Sequence, residues 1–183
     1  MKESEYKSRL IQIIKEKSLQ KDVDRVLTSG RKSSYYIDAK MTTLDPEGAD
    51  LVARFILEKI KSYKVDAIGG YTLGADPIVS AVAVLSFQTK HPLPAFIVRK
   101  ESKKHGEMKM IEGPFKPGWK VVVVDDVVTT GGSTLKACRA VEQAGGKVEM
   151  ALTIVDRLEG GRENLEKAGY TFVSLLTKDD LLK

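Results

Sequence analysis

The chain has 183 residues, 42% of them hydrophobic and 30% charged, the balance of a soluble globular protein with enough length for one domain and a sizeable core. Its net charge of +5 suits small anionic ligands or nucleic acid, but no aromatic residues interleave with the one dense basic cluster, which argues against single-strand binding. The single cysteine, Cys138, excludes an intrachain disulfide and a cysteine-built metal site. A reducing, cytoplasmic setting is the simplest reading, with Cys138 as a small core residue. No apolar run is long enough to span a membrane, and the charged start at Met1–Glu5 is unlike a signal peptide. There is no internal repeat, and residues 1–183 are expected to form a single domain.

In chain order, Leu10, Ile11, Ile13 and Ile14 predict an amphipathic helix from about Ser4 to Leu19. Residues 26–38 predict two short strands about a polar turn, a plain hairpin or one whose Ser29-Gly30, Tyr35 and Tyr36 flank a flat heterocycle. Asp45-Pro46 opens a helix that runs to about Ser62, with Asp45 as its cap. Val65–Ile68 predicts a strand, Gly69–Ala75 a Gly-rich strand-to-helix loop, and Asp76–Phe87 a nearly all-apolar, buried helix. Ala95–Val98 predicts another strand. Residues 99–118 then read as one long polar loop, of a length usually reserved for function or disorder, and Arg99, Lys100, Lys103, Lys104 and His105 are concentrated in it.

The stretch from Val121 to Thr134 organises the rest. Val121–Val124 is a continuous apolar run, as in a parallel strand covered on both faces. Asp125 and Asp126 follow where the strand should emerge, then Thr129, Thr130, Gly131, Gly132, Ser133 and Thr134, then a helical pattern. Glycines let the backbone turn and approach a ligand, and amides at a helix head favour an anion such as phosphate. Carboxylates repel phosphate but accept hydrogen bonds from neighbouring sugar hydroxyls. Together these features describe a ribose 5-phosphate site. An ordinary turn with a Ser or Thr cap accounts for one carboxylate and one hydroxyl, not for the ordered set. Beyond it, residues 147–155 predict a strand ending in Asp156-Arg157, residues 162–168 a short helix, residues 170–176 a last strand, and Thr177 the cap of a terminal helix. Alternating strands and helices predict an α/β chain whose polar loops gather at the carboxyl ends of parallel strands.

The Val121–Thr134 stretch resembles the phosphoribosyl pyrophosphate (PRPP) signature of the type I phosphoribosyltransferases. Arg99–Gly106 resembles the flexible catalytic loop of the orotate phosphoribosyltransferases, Thr28–Tyr36 their orotate-side hairpin, and Asp156-Arg157 falls where they place an orotate-contacting arginine. The resemblance spans about Val26 to Glu159. It implies a type I phosphoribosyltransferase fold: a mostly parallel central sheet flanked by helices, with a small hood region and a flexible catalytic loop at about residues 99–113. It implies transfer of the 5-phosphoribosyl group from PRPP to orotate, with Mg²⁺ carried by PRPP and not bound directly by the protein. Arg99, Lys100, Lys103 and His105 would contact PRPP or its pyrophosphate, with Lys103 the most important for turnover. Asp125 and Asp126 would hold the ribose hydroxyls, and Val127, Val128, Thr129, Thr130, Gly131, Gly132 and Ser133 the 5-phosphate. Thr129, Arg157 and the backbone near Tyr36 and Ile37 would meet orotate, whose carboxylate suits an arginine in its own right. A homodimer is implied, its loop reaching into the partner's site. Thr28 and Tyr71-Thr72-Leu73 stand where some members carry lysines, which bears on the pyrophosphate contacts there. The alternatives are a purine-base phosphoribosyltransferase and a nucleic-acid-binding regulator on the same fold.

Overall fold

The computed structural model describes residues 3–26, 32–101 and 110–183, and for residues 22–26 and 32–33 the backbone alone. The opening helix, α1 (Glu3–Lys17), buries Leu10, Ile13 and Ile14 as its spacing predicts. It stops two residues early because Leu19 starts a strand, β1 (Leu19–Val26), antiparallel to β2 (Lys32–Ile37). The first arm of the hairpin is therefore longer than its sequence suggests. Polar Gln20 and Lys21 disguise it, since a two-stranded ribbon needs no continuous apolar run. A one-turn helix, α2 (Lys40–Thr43), leads to α3 (Pro46–Ile60), where the Asp45 carboxylate accepts from the Glu47 and Gly48 amides at 3.1 and 3.0 Å, as a cap should.

Next come β3 (Ala67–Tyr71), α4 (Asp76–Gln88), β4 (Ala95–Val98) and a two-residue strand, β5 (Ile111–Glu112). Gly69 and Gly70 thus belong to β3, not to the loop after it. A side chain at Gly70 would sit 2.1 Å from the Val124 carbonyl oxygen, so the glycine marks close strand packing. Helix α4 buries Ile78, Val79, Val82 and Leu85 but leaves Val84 and Phe87 62% and 75% exposed, so it is not the wholly buried helix its composition suggests. Residues 110–113, expected within the flexible loop, instead carry β5, which pairs antiparallel with β4. The remaining elements are β6 (Lys120–Val128), α5 (Gly132–Gln143), β7 (Lys147–Asp156), α6 (Gly161–Lys167), β8 (Phe172–Thr177) and α7 (Lys178–Leu182). Thr177 and Asp180 form the capping box of α7.

The six strands of the main sheet run in the order β5-β4-β3-β6-β7-β8, with all neighbours parallel except β5. Val122 and Val124 pack with α1, α3 and α4 on one face, while Val121 and Val123 pack with α5 and Phe96 on the other. That two-sided burial is why four consecutive valines are needed. The chain passes from β3 outward to β4, then returns across β3 to begin β6. Loops leaving the carboxyl ends of β3 and β6 diverge at this reversal and open a crevice, the usual ligand position in such sheets.

Candidate active site

The crevice holds a cavity of about 410 Å³ lined by Tyr71, Val127, Thr129, Thr130, Gly131, Gly132, Ser133 and Lys136. Gly131 adopts φ 79°, a left-handed turn that suits glycine, and heads α5. No side chain among the described residues caps that helix, so its leading amides face the cavity as an anion cradle. Thr130 is held from behind, its carbonyl accepting from Asn164 Nδ2 at 2.9 Å. The side chain of Val128 is buried in the core, so its part in the cradle is the backbone turn. A larger cavity of about 590 Å³, lined by Met110, Phe115 and Gln143 among others, has no charged side chain in its wall and lacks this chemistry.

The structure separates the two acids that the sequence presents as a pair. Strand β6 extends through both, so their side chains fall on opposite faces. Asp125 is buried, and its Oδ2 accepts from the hydroxyls of Ser133 at 2.6 Å and Thr134 at 2.7 Å. The Ser133 hydroxyl, expected at the phosphate, is thereby committed to Asp125, and its backbone amide is what it has left for an anion. Burial, then the negative charge of Asp126, pushes the Asp125 carboxyl up from 3.8 to about 6, against the opposing pull of the two hydroxyls. A group whose folded pKa is raised binds its proton more tightly in the folded state, so its contribution to stability falls as pH rises through that interval. Wild-type protein should therefore lose stability relative to Asp125→Asn between about pH 4 and pH 7, measured by denaturant unfolding. Parallel pH profiles for the two proteins would refute the assignment.

Asp126 is only partly buried, and its Oδ1 accepts from the Val127 amide at 2.8 Å. Gly74, in the loop after β3, faces it so closely that a Cβ there would stand 2.6 Å from Oδ1. Lys40, on α2, lies within the field of Asp126. Its ammonium is held above the usual lysine value by a hydrogen bond to Asp38, against the cost of burial and with help from the Asp126 charge.

Arg157, at the end of β7, is 2% exposed. Its Nε donates to Glu159 Oε1 at 2.9 Å, and its guanidinium lies 4.3 Å from the centre of the Tyr35 ring. The hairpin therefore meets the main sheet at the predicted base-binding arginine. Ile37 is buried in the core, while Tyr36 is partly exposed at the same end of β2. The Arg157 amide donates to the Val128 carbonyl at 2.9 Å, which sets Arg157 beside Thr129.

At the base of the basic loop, Arg99 donates to Glu112 Oε1 at 3.0 Å, and Lys100 is exposed. Lys103 and His105 lie outside the described residues, as do Thr28 to Arg31. Among the described residues no group of three or more His, Cys, Asp or Glu side chains is placed to hold a metal. Cys138 is buried, and burial pushes its thiol up to about 12, as befits a core residue. Sequence reasoning overlooked Lys136, Lys40 and Glu159, and named Gly74 only as part of the Gly-rich loop after Ile68. The first carried a signal, for it falls one turn into the helix that heads the phosphate cradle.

A switch-point crevice with an uncapped helix head, a Thr/Gly loop and a carboxylate beside it defines a phosphoribosyltransferase, and residues 41–177 match the family of the phosphoribosyl transferase domain. Orotate phosphoribosyltransferase of Aquifex aeolicus (strain VF5) is 46% identical over 178 residues, 96% of this chain and 97% of that one. The crystal structure of the Mycobacterium tuberculosis H37Rv orotate phosphoribosyltransferase in complex with PRPP superposes with a TM-score of 0.80 at 34% identity, covering 96% of this chain and 98% of that one. That of Aeropyrum pernix gives 0.80 at 31% identity, over 94% and 96%. The chain belongs to the orotate phosphoribosyltransferase family. No helix among the described residues is long and apolar enough to cross a membrane.

Proposed function

We propose that this chain transfers the 5-phosphoribosyl group of PRPP to orotate, giving orotidine 5′-phosphate and pyrophosphate in pyrimidine nucleotide synthesis. The observation that carries it is the adjacency of a phosphate cradle at Gly131–Ser133 to a buried arginine, Arg157, tied by its amide to Val128. A purine base has no carboxylate for that arginine, which disfavours the purine-base alternative.

The C1–O bond to pyrophosphate breaks with its electron pair leaving on oxygen, and a C1–N bond to the orotate ring forms as that ring nitrogen gives up its proton to solvent. Charge at C1 resembles an oxocarbenium ion, as at glycosidic centres generally. The α5 amides and the 129–133 loop hold the 5-phosphate, Asp126 accepts from the ribose hydroxyls, and Arg157 with Thr129 orients orotate. Arg99, Lys100, Lys103 and His105 would contact the departing pyrophosphate and exclude water, with Lys103 dominant in turnover. Mg²⁺ carried by PRPP would supply further neutralisation of the pyrophosphate. A single domain, a homodimer with the loop crossing between subunits, and a cytoplasmic setting complete the proposal.

Orotate consumption with PRPP and Mg²⁺, repeated without each component, tests the reaction. Activity with adenine or hypoxanthine and none with orotate would overturn it. Lys136 is exposed at the cradle wall, so Lys136→Ala should raise the PRPP KM by roughly 3- to 10-fold with kcat unchanged, an effect that shrinks in high salt. A salt-independent loss of kcat would count against a role as a phosphate counter-charge.

A further inference from the structure

We propose that Glu159 is a positioning residue for the acceptor site: its carboxylate fixes the plane of the Arg157 guanidinium and so tunes the enzyme for a base that carries a carboxylate. The inference rests on the orotate reaction proposed above and deepens it.

Strand β7 ends at Asp156, and the chain must reverse within three residues for a glutamate to reach back to Arg157. Several contacts make it do so. The Asp156 Oδ1 accepts from the Leu158 amide at 2.8 Å, and Leu158 takes φ 54°, left-handed for a residue with a side chain. Gly160 follows at φ 92°. Gly161 then packs so tightly that a Cβ would lie 2.4 Å from Val128 Cγ1 and 2.8 Å from the Thr129 carbonyl oxygen. The turn is thus fastened at both ends to the loop that holds the phosphate.

Its product is the Arg157–Glu159 pair, with side chains 3% and 16% exposed. Tyr35 closes the other side of the guanidinium at 4.3 Å. An arginine has many rotamers, and burial alone does not choose among them. A carboxylate on Nε and a ring on the planar face restrict it to one orientation, which is what bidentate recognition of an incoming carboxylate requires. The pair also keeps the empty acceptor site close to neutral, so a buried guanidinium does not stand without a counter-charge.

Steady-state kinetics on the full-length protein test the idea. Glu159→Ala should raise the orotate KM by about 10-fold or more, with the PRPP KM and kcat within about 2-fold of wild type. It should also lower the preference for orotate over uracil, which lacks the carboxylate, by about 10-fold. Glu159→Gln keeps an oxygen acceptor for Nε and should stay within about 3-fold of wild type on both measures. A merely structural role would lower the thermal midpoint and the active fraction without moving the orotate-to-uracil ratio. If Glu159→Ala does not fold, Glu159→Asp, which draws the carboxylate back by one methylene, carries the same expectation. An unchanged orotate KM and ratio in the folded variant overturns the proposal, as does a Gln variant as impaired as Ala. Absence of orotate turnover in the wild type overturns the parent reaction and this inference together, whereas normal wild-type turnover beside an unaffected variant overturns this inference alone.

Discussion

Asp126→Ala should lower kcat/KM by about 1,000-fold while leaving the thermal midpoint near that of wild type. Of the two adjacent acids, this is the one the fold leaves able to meet a sugar. It is partly exposed, faces the loop after β3 across Gly74, and accepts from the Val127 amide on Oδ1. A carboxylate there accepts hydrogen bonds from the ribose hydroxyls in the ground state. It also gains strength as positive charge develops at C1, so its loss falls on the transition state more than on binding. Asp125→Ala should show a different profile. It strips the Ser133 and Thr134 hydroxyls of their buried acceptor, so stability falls along with activity. Kinetics and thermal unfolding of both variants, measured side by side, decide the matter. Equal stability losses, or an Asp126→Ala enzyme that keeps more than about a tenth of wild-type kcat/KM, would overturn the division of labour.

That division was not legible in the sequence, and the reason is geometric. Two neighbouring aspartates read as a pair only if the strand ends before them. Here β6 carries on to Val128, and its two-residue period turns the acids to opposite faces. The apolar strands and the capped α3 were legible because Val, Ile and Pro act locally: Asp45-Pro46 behaves as its own chemistry dictates. The exposed side of α4 was not, since composition records that Val84 and Phe87 are apolar but not which way they point. Strand β5 was hidden for a related reason, as two residues at a sheet edge have no periodicity to detect. The phosphate cradle was the most readable part of the site, because Thr129 to Thr134 are contiguous. Glu159 and Lys40 were the least readable. Their importance depends on a left-handed turn at Leu158 and on the path of the chain from the hairpin into α2, neither of which side-chain types announce.

Arg157→Ala should raise the orotate KM by about 100-fold and also destabilise the protein by about 3 kcal/mol, two losses with separate causes. The first follows from removing charge-assisted bonds to the carboxylate of the base, and it should leave the PRPP KM nearly unchanged because Arg157 is not part of the wall of the phosphate cradle. The second arises from Glu159, which would keep its charge at 16% side-chain exposure with its arginine gone, while Tyr35 loses the cation over its ring. A second substitution separates the two causes. Arg157→Ala combined with Glu159→Gln removes the stranded charge, so most of the stability should return while the orotate defect persists. Denaturant unfolding and orotate titration on the single and double variants measure both quantities. If the double variant regained orotate affinity together with stability, the KM effect would be a by-product of a loosened turn, and Arg157 would not be the group that receives the carboxylate.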